Sequence, residues 1–138
     1  ILRTAQTALD DDAALRVSFF PGHEARVSGD RYLLEIALQN LVQNALKYSP
    51  PMSPVGVRLF TDSGLVTVDV TDQGIGVSPE HQSLIFLKYY RIAGQRTNGS
   101  GLGLYISREI AKQHGGELSL ASSGETGSTF RLSLPTQE

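Results

Sequence analysis

Apolar residues recur at helical spacing in four parts of the chain. The predicted helices cover residues 1–15, 31–49, 78–86 and 101–114. The longest follows Asp30, a good N-cap, and stops at Pro50-Pro51, which cannot continue a helix. Ser78-Pro79-Glu80 is a typical start for the third helix, and Gly115-Gly116 is a typical end for the fourth.

Alternating apolar and polar residues predict two β-hairpins. One joins residues 55–62 to 65–72, and the other joins 117–123 to 128–135 through a turn at Gly124–Gly127. Shorter β-type runs occur at 16–20 and 25–30. Because hairpins pair antiparallel and helices must bury one face, we expect an α/β two-layer sandwich. Its mixed, mostly antiparallel sheet is covered on one face by about three helices.

Composition limits the class of protein without naming a function. The chain has 138 residues, 40% hydrophobic and 19% charged, which fits one folded domain over residues 1–138. Its net charge of −2 provides no basic field for nucleic acid or an anionic membrane, and it has no cysteine for disulfides or thiolate chemistry. No run approaches the roughly 20 apolar residues of a membrane span. The chain begins at Ile1, so we expect a fragment of a longer protein.

The first candidate for chemistry is the glycine-rich run "NGSGLGL" at residues 98–104, directly before a predicted helix. It fits neither the phosphate loop G-x-x-x-x-G-K-[ST] nor the dinucleotide pattern G-x-G-x-x-G after a strand. Glycines there let backbone N–H groups approach an anion at the helix N-terminus. A flexible loop followed by a helix cap explains the same residues equally well.

A second candidate is "DVTDQGIGV" at residues 69–77, where Asp72 ends a predicted strand before Gly74 and Gly76. A carboxylate held at a strand end can accept a hydrogen bond from an amine. Because aspartate and glycine also favour ordinary turns, the pattern alone does not establish a site.

A third candidate lies on the long helix, where Asn40, Asn44, Lys47 and Tyr48 share one stripe. The stripe borders the predicted core face, which comprises Leu34, Ala37, Leu38, Leu41, Val42 and Ala45. Carboxamide oxygens are suitable Mg²⁺ ligands, and a lysine supplies a point charge for phosphate. A polar stripe satisfied by water is the alternative.

Five strings taken together resemble a known family. In order they are "NLVQNALKYSP", "DQGIG", "FLKYYR", "GSGLGLYISREIAKQHGG" and "GSTFRLSLP". This series is similar to that of the catalytic, ATP-binding domain of bacterial sensor histidine kinases, over residues 17–135. That domain belongs to a superfamily with the gyrase B subunit, MutL and a heat-shock chaperone. The resemblance implies a Bergerat-type ATP-binding fold with ATP and Mg²⁺ as cofactors.

The resemblance also implies roles for the candidates. Asn44 would bind Mg²⁺ with Asn40 as its partner one turn earlier, Lys47 would contact phosphate, and Tyr48 would pack on the adenine. Asp72 would accept from the exocyclic amine of adenine, which selects against guanine. Further expected nucleotide contacts are Gly74, Gly76, Tyr90, Gly99, Gly101, Leu102, Gly103, Leu104, Ser128 and Thr129. Residues 91–100 would form an ATP lid in which Arg91 and Arg96 reach the γ-phosphate, with Phe86 and Tyr90 as its anchors.

The implied reaction transfers the γ-phosphoryl group of MgATP to a histidine on a separate dimerisation domain of the same kinase, and then to a response regulator receiver domain. Gyrase-type relatives carry a glutamate base where this chain has Asn40, a poor base, so we expect slow hydrolysis. The three histidines, His23, His81 and His114, are not in an acceptor setting. His114 ends a helix, where a cation suits the dipole.

Several expectations and alternatives accompany this interpretation. The parent would be an inner-membrane protein with this domain in the cytoplasm, monomeric in isolation, without nucleic-acid or direct membrane contact. The alternatives are a serine kinase of the anti-sigma-factor type, a non-catalytic nucleotide-sensing module, and an interaction domain that binds no nucleotide.

Overall fold

The computed structural model describes residues 17–20, 26–90 and 102–136. Its elements are β1 (Val17–Phe20), α1 (Arg31–Tyr48), β2 (Val55–Asp62), β3 (Leu65–Thr71), α2 (Pro79–Gln82), α3 (Gly103–Gln113), β4 (Glu117–Gly124) and β5 (Gly127–Pro135). The helix predicted over residues 1–15 lies outside the described residues. None of the helices in the described ranges is long and apolar enough to cross a membrane.

The five strands form one open sheet in the order β1-β2-β3-β5-β4. β1 pairs parallel with β2, and the other three pairings are antiparallel. Both predicted hairpins are present, as β2–β3 and β4–β5. The predicted mixed, mostly antiparallel sheet in a two-layer α/β arrangement is therefore confirmed.

The hydrophobic core lies between the sheet and the helices. Val68 and Val70 of β3 pair with Leu132 and Phe130 of β5, and all four side chains are buried. The six positions predicted as the core face of α1 are all buried: Leu34, Ala37, Leu38, Leu41, Val42 and Ala45. Asp30 caps the helix as expected, since its carboxylate accepts from the N–H of Leu33 at 3.1 Å.

Two local predictions were wrong. Residues 26–30 form no strand, because Asp30 serves as the cap of α1 and Gly29 packs against the ring of His114. The helix predicted over 78–86 is regular only over Pro79–Gln82. Beyond it the chain continues in tight turns, and in one of them the N–H of Leu87 donates to the carbonyl of Leu84 at 3.0 Å.

Candidate functional site

A cleft opens between the C-terminal half of α1, the glycine turn after β3, the start of α3 and the first residues of β5. Its walls are formed by Asn44, Tyr48, Asp72, Gly74, Ile75, Gly76, Val77, Ile85, Tyr90, Leu104, Ser128 and Phe130. Eight of these were predicted as contacts of the nucleotide or its metal ion: Asn44, Tyr48, Asp72, Gly74, Gly76, Tyr90, Leu104 and Ser128. The fold thus brings together residues that lie up to 86 positions apart in the chain.

Asp72 is the most tightly held polar group of the cleft. Its Oδ1 accepts from the N–H groups of Gly74 at 2.9 Å and Ser128 at 3.1 Å, and its own N–H donates to the carbonyl of Ser128 at 2.9 Å. Oδ2 has no hydrogen-bond partner among the described residues. Because every fully buried side-chain polar atom of those residues has a partner, Oδ2 is not fully buried. The side chain therefore presents one oriented acceptor to the cleft.

The environment of Asp72 shifts its titration. Burial raises the pKa of the carboxyl above its ordinary value, and the bonds from the N–H groups of Gly74 and Ser128 partly oppose the increase. A carboxyl whose pKa is higher in the folded than in the unfolded state stabilises the fold most below the unfolded pKa. That contribution is lost as the pH rises through the folded value.

We therefore predict a difference in pH dependence between the parent and Asp72→Asn. The free energy of unfolding of the variant, relative to the parent, should increase as the pH rises through the acid range and then level off towards neutrality. Urea unfolding at a series of pH values from 3 to 7 measures this difference. A difference that stays flat or changes in the opposite direction contradicts the assigned shift.

The glycine turn needs its glycines for two separate reasons. A Cβ on Gly74 would lie 2.5 Å from the carbonyl oxygen of Tyr48, so this glycine allows the turn to approach the end of α1. Gly76 has φ +80°, and a Cβ there would lie 2.1 Å from the carbonyl oxygen of Gly124. Together they allow the turn after Asp72 to pack closely against the end of α1 and against the turn between β4 and β5.

Only two of the four residues in the predicted stripe on α1 line the cleft. Asn44 and Tyr48 line it. Asn40 lies one turn earlier beside the start of α3, where a Cβ on Gly103 would sit 3.9 Å from its Cβ and Cγ. Lys47 is exposed in the last turn of α1 and does not line the cleft.

The start of α3 faces the same region. Its first intrahelical bond runs from the N–H of Ile106 to the carbonyl of Leu102 at 2.8 Å, and no side chain caps the helix. The N–H groups of Gly103, Leu104 and Tyr105 precede that bond and so have no helical acceptor. The remaining predictions in this region, Gly99, Gly101, Arg91, Arg96 and the lid at residues 91–100, lie outside the described residues, as does His23.

The two contacts predicted on β5, Ser128 and Thr129, lie on opposite faces of the strand. Ser128 is buried and lines the cleft together with Phe130. The side chain of Thr129 points to the other face, where its hydroxyl lies 2.9 Å from that of Thr71. The structure therefore brings Ser128, and not Thr129, to the cleft.

The apolar walls of the cleft were missing from the site prediction. They include Ile75, Val77, Ile85 and Phe130. Phe130 had a usable signal, because it alternates with Ser128 along a predicted strand. Phe86, an expected lid anchor, is buried. Its ring lies edge-on to that of Phe130, with the ring centroids 6.1 Å apart.

The other expected anchor, Tyr90, lines the cleft through a contact that sequence reasoning did not anticipate. Its hydroxyl is hydrogen-bonded to Nδ1 of His81, and the two rings lie edge to face with centroids 5.9 Å apart. His81 is thus a structural partner of a cleft residue.

Comparison with known proteins decides the family. Residues 29–138 match the model of the histidine kinase-, DNA gyrase B- and HSP90-like ATPases. The chain belongs to this family. It is 41% identical over 128 residues to the sensor-like histidine kinase SenX3 of Mycobacterium tuberculosis, an alignment that covers 91% of this chain and 31% of SenX3. The predicted membership of the ATPase superfamily is confirmed.

Solved structures agree with this assignment. The mycobacterial sensor histidine kinase MprB superposes with a TM-score of 0.76 at 34% identity, covering 88% of this chain and 83% of that one. The catalytic domain of the histidine kinase ThkA gives 0.77 at 27% identity, covering 99% and 85%. The chain spans about three tenths of the length of curated relatives such as SenX3 and CusS.

Proposed function

We propose that this ATPase-family domain binds MgATP in the cleft and supplies its γ-phosphoryl group to a histidine on a separate dimerisation domain of the same kinase. The observation that carries the proposal is the Asp72 carboxylate. Two backbone N–H groups hold Oδ1, and Oδ2 is left as an acceptor on an otherwise largely apolar wall. Such a wall suits a planar base, and the oriented acceptor suits its amine.

We expect the base end of the cleft to prefer adenine. Adenine presents an exocyclic amine that donates to a carboxylate, whereas guanine presents a carbonyl at that position. A carbonyl facing Oδ2 would leave two acceptors opposed in a desolvated site, which costs about 1–3 kcal/mol. We therefore expect GTP to bind roughly 10- to 100-fold more weakly than ATP.

The part of the cleft that the described residues form is small. The described residues surround about 70 Å³, well below the roughly 300–1,000 Å³ of typical ligand pockets. Ile75, between the two glycines, is 77% exposed. A bound base would cover it, so apolar burial at Ile75 would add to the hydrogen bond at Asp72.

The phosphate end would use the amide side chains of α1 and the start of α3. A divalent cation on the triphosphate needs few protein ligands, and Asn44 offers a carboxamide oxygen for it. The N–H groups at the start of α3 that have no acceptor within the helix favour an anion. Asn40 would help to position the phosphates and would not act as a base. Lys47, Arg91 and Arg96 would supply positive charge to the phosphates during transfer.

Titration of the domain with nucleotides tests the proposal directly. Isothermal titration should give saturable binding of MgATP, weaker binding of MgGTP, and measurable binding of adenosine. Transfer is tested by mixing the domain with the separately expressed dimerisation domain of its parent and labelled ATP. A base-stable, acid-labile label on that domain is expected, and an acid-stable label would point instead to a serine kinase.

Asn44→Ala should remove much of the benefit of Mg²⁺. We expect ATP affinity in excess Mg²⁺ to fall about 5- to 20-fold, while the affinity for adenosine stays within twofold of the parent, because a metal ligand acts only through the phosphates. Gln43→Ala is the matched control, since Gln43 is the exposed neighbour on the same helix. Equal effects of the two substitutions would remove Asn44 from the metal site.

Further partners follow from the same proposal. The phosphorylated histidine would donate to an aspartate of a response regulator receiver domain, and the parent would hold this domain on the cytoplasmic side of an inner membrane. The support is the sequence similarity to sensor histidine kinases such as SenX3 and CusS.

A further inference from the structure

Helix α3 is tied at its end to the beginning of α1 by His114. Nε2 of its ring accepts from the backbone N–H of Asp30 at 2.9 Å, and Nδ1 lies 2.7 Å from the carbonyl oxygen of Ile110. Since a carbonyl only accepts, Nδ1 is the donor in this contact, while Nε2 is the acceptor in the contact with Asp30. A Cβ on Gly29 would lie 2.1 Å from the ring.

Two turns earlier, α3 is tied to the middle of α1. The hydroxyl of Ser107 donates to the carbonyl oxygen of Ala37 at 3.0 Å, and both residues are completely buried. One turn earlier still, Gly103 faces Asn40, and a Cβ on this glycine would lie 3.9 Å from the Cβ and Cγ of Asn40. Residue numbers rise along α1 as they fall along α3, so the helices run antiparallel with a defined register.

The two polar contacts differ in kind from the apolar packing around them. Apolar contact is non-directional and tolerates small sliding movements, whereas a hydrogen bond weakens steeply when its angle or length changes. A slide of α3 would leave the buried hydroxyl of Ser107 without a partner, which is costly. These contacts therefore fix where α3 begins relative to Asn40 and Asn44.

The base end of the cleft does not depend on them. Asp72 is held by Gly74 and Ser128, which belong to the glycine turn and to β5. Small movements of α3 would thus alter the phosphate end while leaving the oriented carboxylate in place.

We infer that Ser107 and His114 are positioning residues for the phosphate end of the site. They set the distance between the N–H groups at the start of α3 and the carboxamides of α1, and they touch no ligand themselves. The inference rests on the proposed function, because it assumes that phosphates occupy that end.

The test compares a ligand with phosphates to one without. MgATP and adenosine are titrated into the parent, Ser107→Ala and Gly29→Ala, and amide NMR shifts follow binding so that weak adenosine affinity is still measured. Ser107→Ala deletes the buried donor, and Gly29→Ala pushes the ring of His114 from its place. Gly56→Ala is the control, since a Cβ there meets nothing within 4 Å.

We expect both variants to bind MgATP about 5- to 10-fold more weakly than the parent and adenosine within twofold of it, with Gly56→Ala matching the parent for both ligands. Equal losses of affinity for MgATP and adenosine would indicate a purely structural role and overturn the inference. Parental affinities of the variants for both ligands would overturn it as well. A parent that binds neither ligand overturns the proposed function and the inference with it. Should Gly29→Ala fail to fold, Ser107→Ala alone decides.

Discussion

Asp72→Asn should weaken ATP binding by roughly 10- to 150-fold and leave the domain folded. The asparagine oxygen can take the place of Oδ1 and keep the bonds from Gly74 and Ser128. Its amide nitrogen would then occupy the position of Oδ2 and oppose the amine of adenine donor to donor. Losing a charge-assisted hydrogen bond inside a site costs about 1.5–3 kcal/mol, which gives the expected range.

Asp69→Asn is the matched control for this substitution. Asp69 lies on β3, which ends one residue before Asp72, and faces the side of the sheet away from the core, where its two oxygens accept from Arg131 at 2.8 and 2.9 Å. Its replacement should lower stability modestly and leave ATP affinity unchanged. Isothermal titration and thermal unfolding of both variants separate the outcomes. Parental affinity in Asp72→Asn would exclude the assigned base contact.

Local periodicity was sufficient to predict α1 and both hairpins. The six core positions of α1 repeat at helical spacing, and the alternation in β2, β3, β4 and β5 makes the pairing of neighbours in sequence the simplest arrangement. The local pattern of a carboxylate at a strand end followed by glycines also made Asp72, Gly74 and Gly76 candidates, although it did not distinguish a site from an ordinary turn.

Contacts between distant parts of the chain were not predictable in this way. The failure at residues 26–30 arises from the contact of Gly29 and Asp30 with His114, 84 positions beyond Asp30. The bond from Ser128 to Asp72 spans 56 positions. The side-chain direction of Thr129 follows from a register that only the assembled sheet fixes. In each case a partner far along the chain determines the outcome.

Gly127→Ala, next to the cleft residue Ser128, should be highly damaging for so small a substitution. Gly127 has φ +141°, which L-residues rarely adopt, and a Cβ would lie 2.0 Å from the carbonyl oxygen of Asp72. The turn would have to move away from β3, and the bonds between Ser128 and Asp72 would lengthen. We expect a loss of about 3 kcal/mol in stability, a decrease of roughly 10 °C in Tm, and a large loss of ATP affinity.

The other glycine of the same turn should behave in the opposite way. A Cβ on Gly124 meets nothing within 4 Å, and its φ lies outside the left-handed region. Gly124→Ala should therefore leave ATP binding intact and raise stability by up to about 1 kcal/mol, since alanine restricts the unfolded chain. Calorimetry and nucleotide titration of the two variants compare the same chemical change three residues apart. If both lower Tm and affinity alike, general disturbance of the turn is the cause, and the close approach of Gly127 to Asp72 is not what holds the acceptor in place.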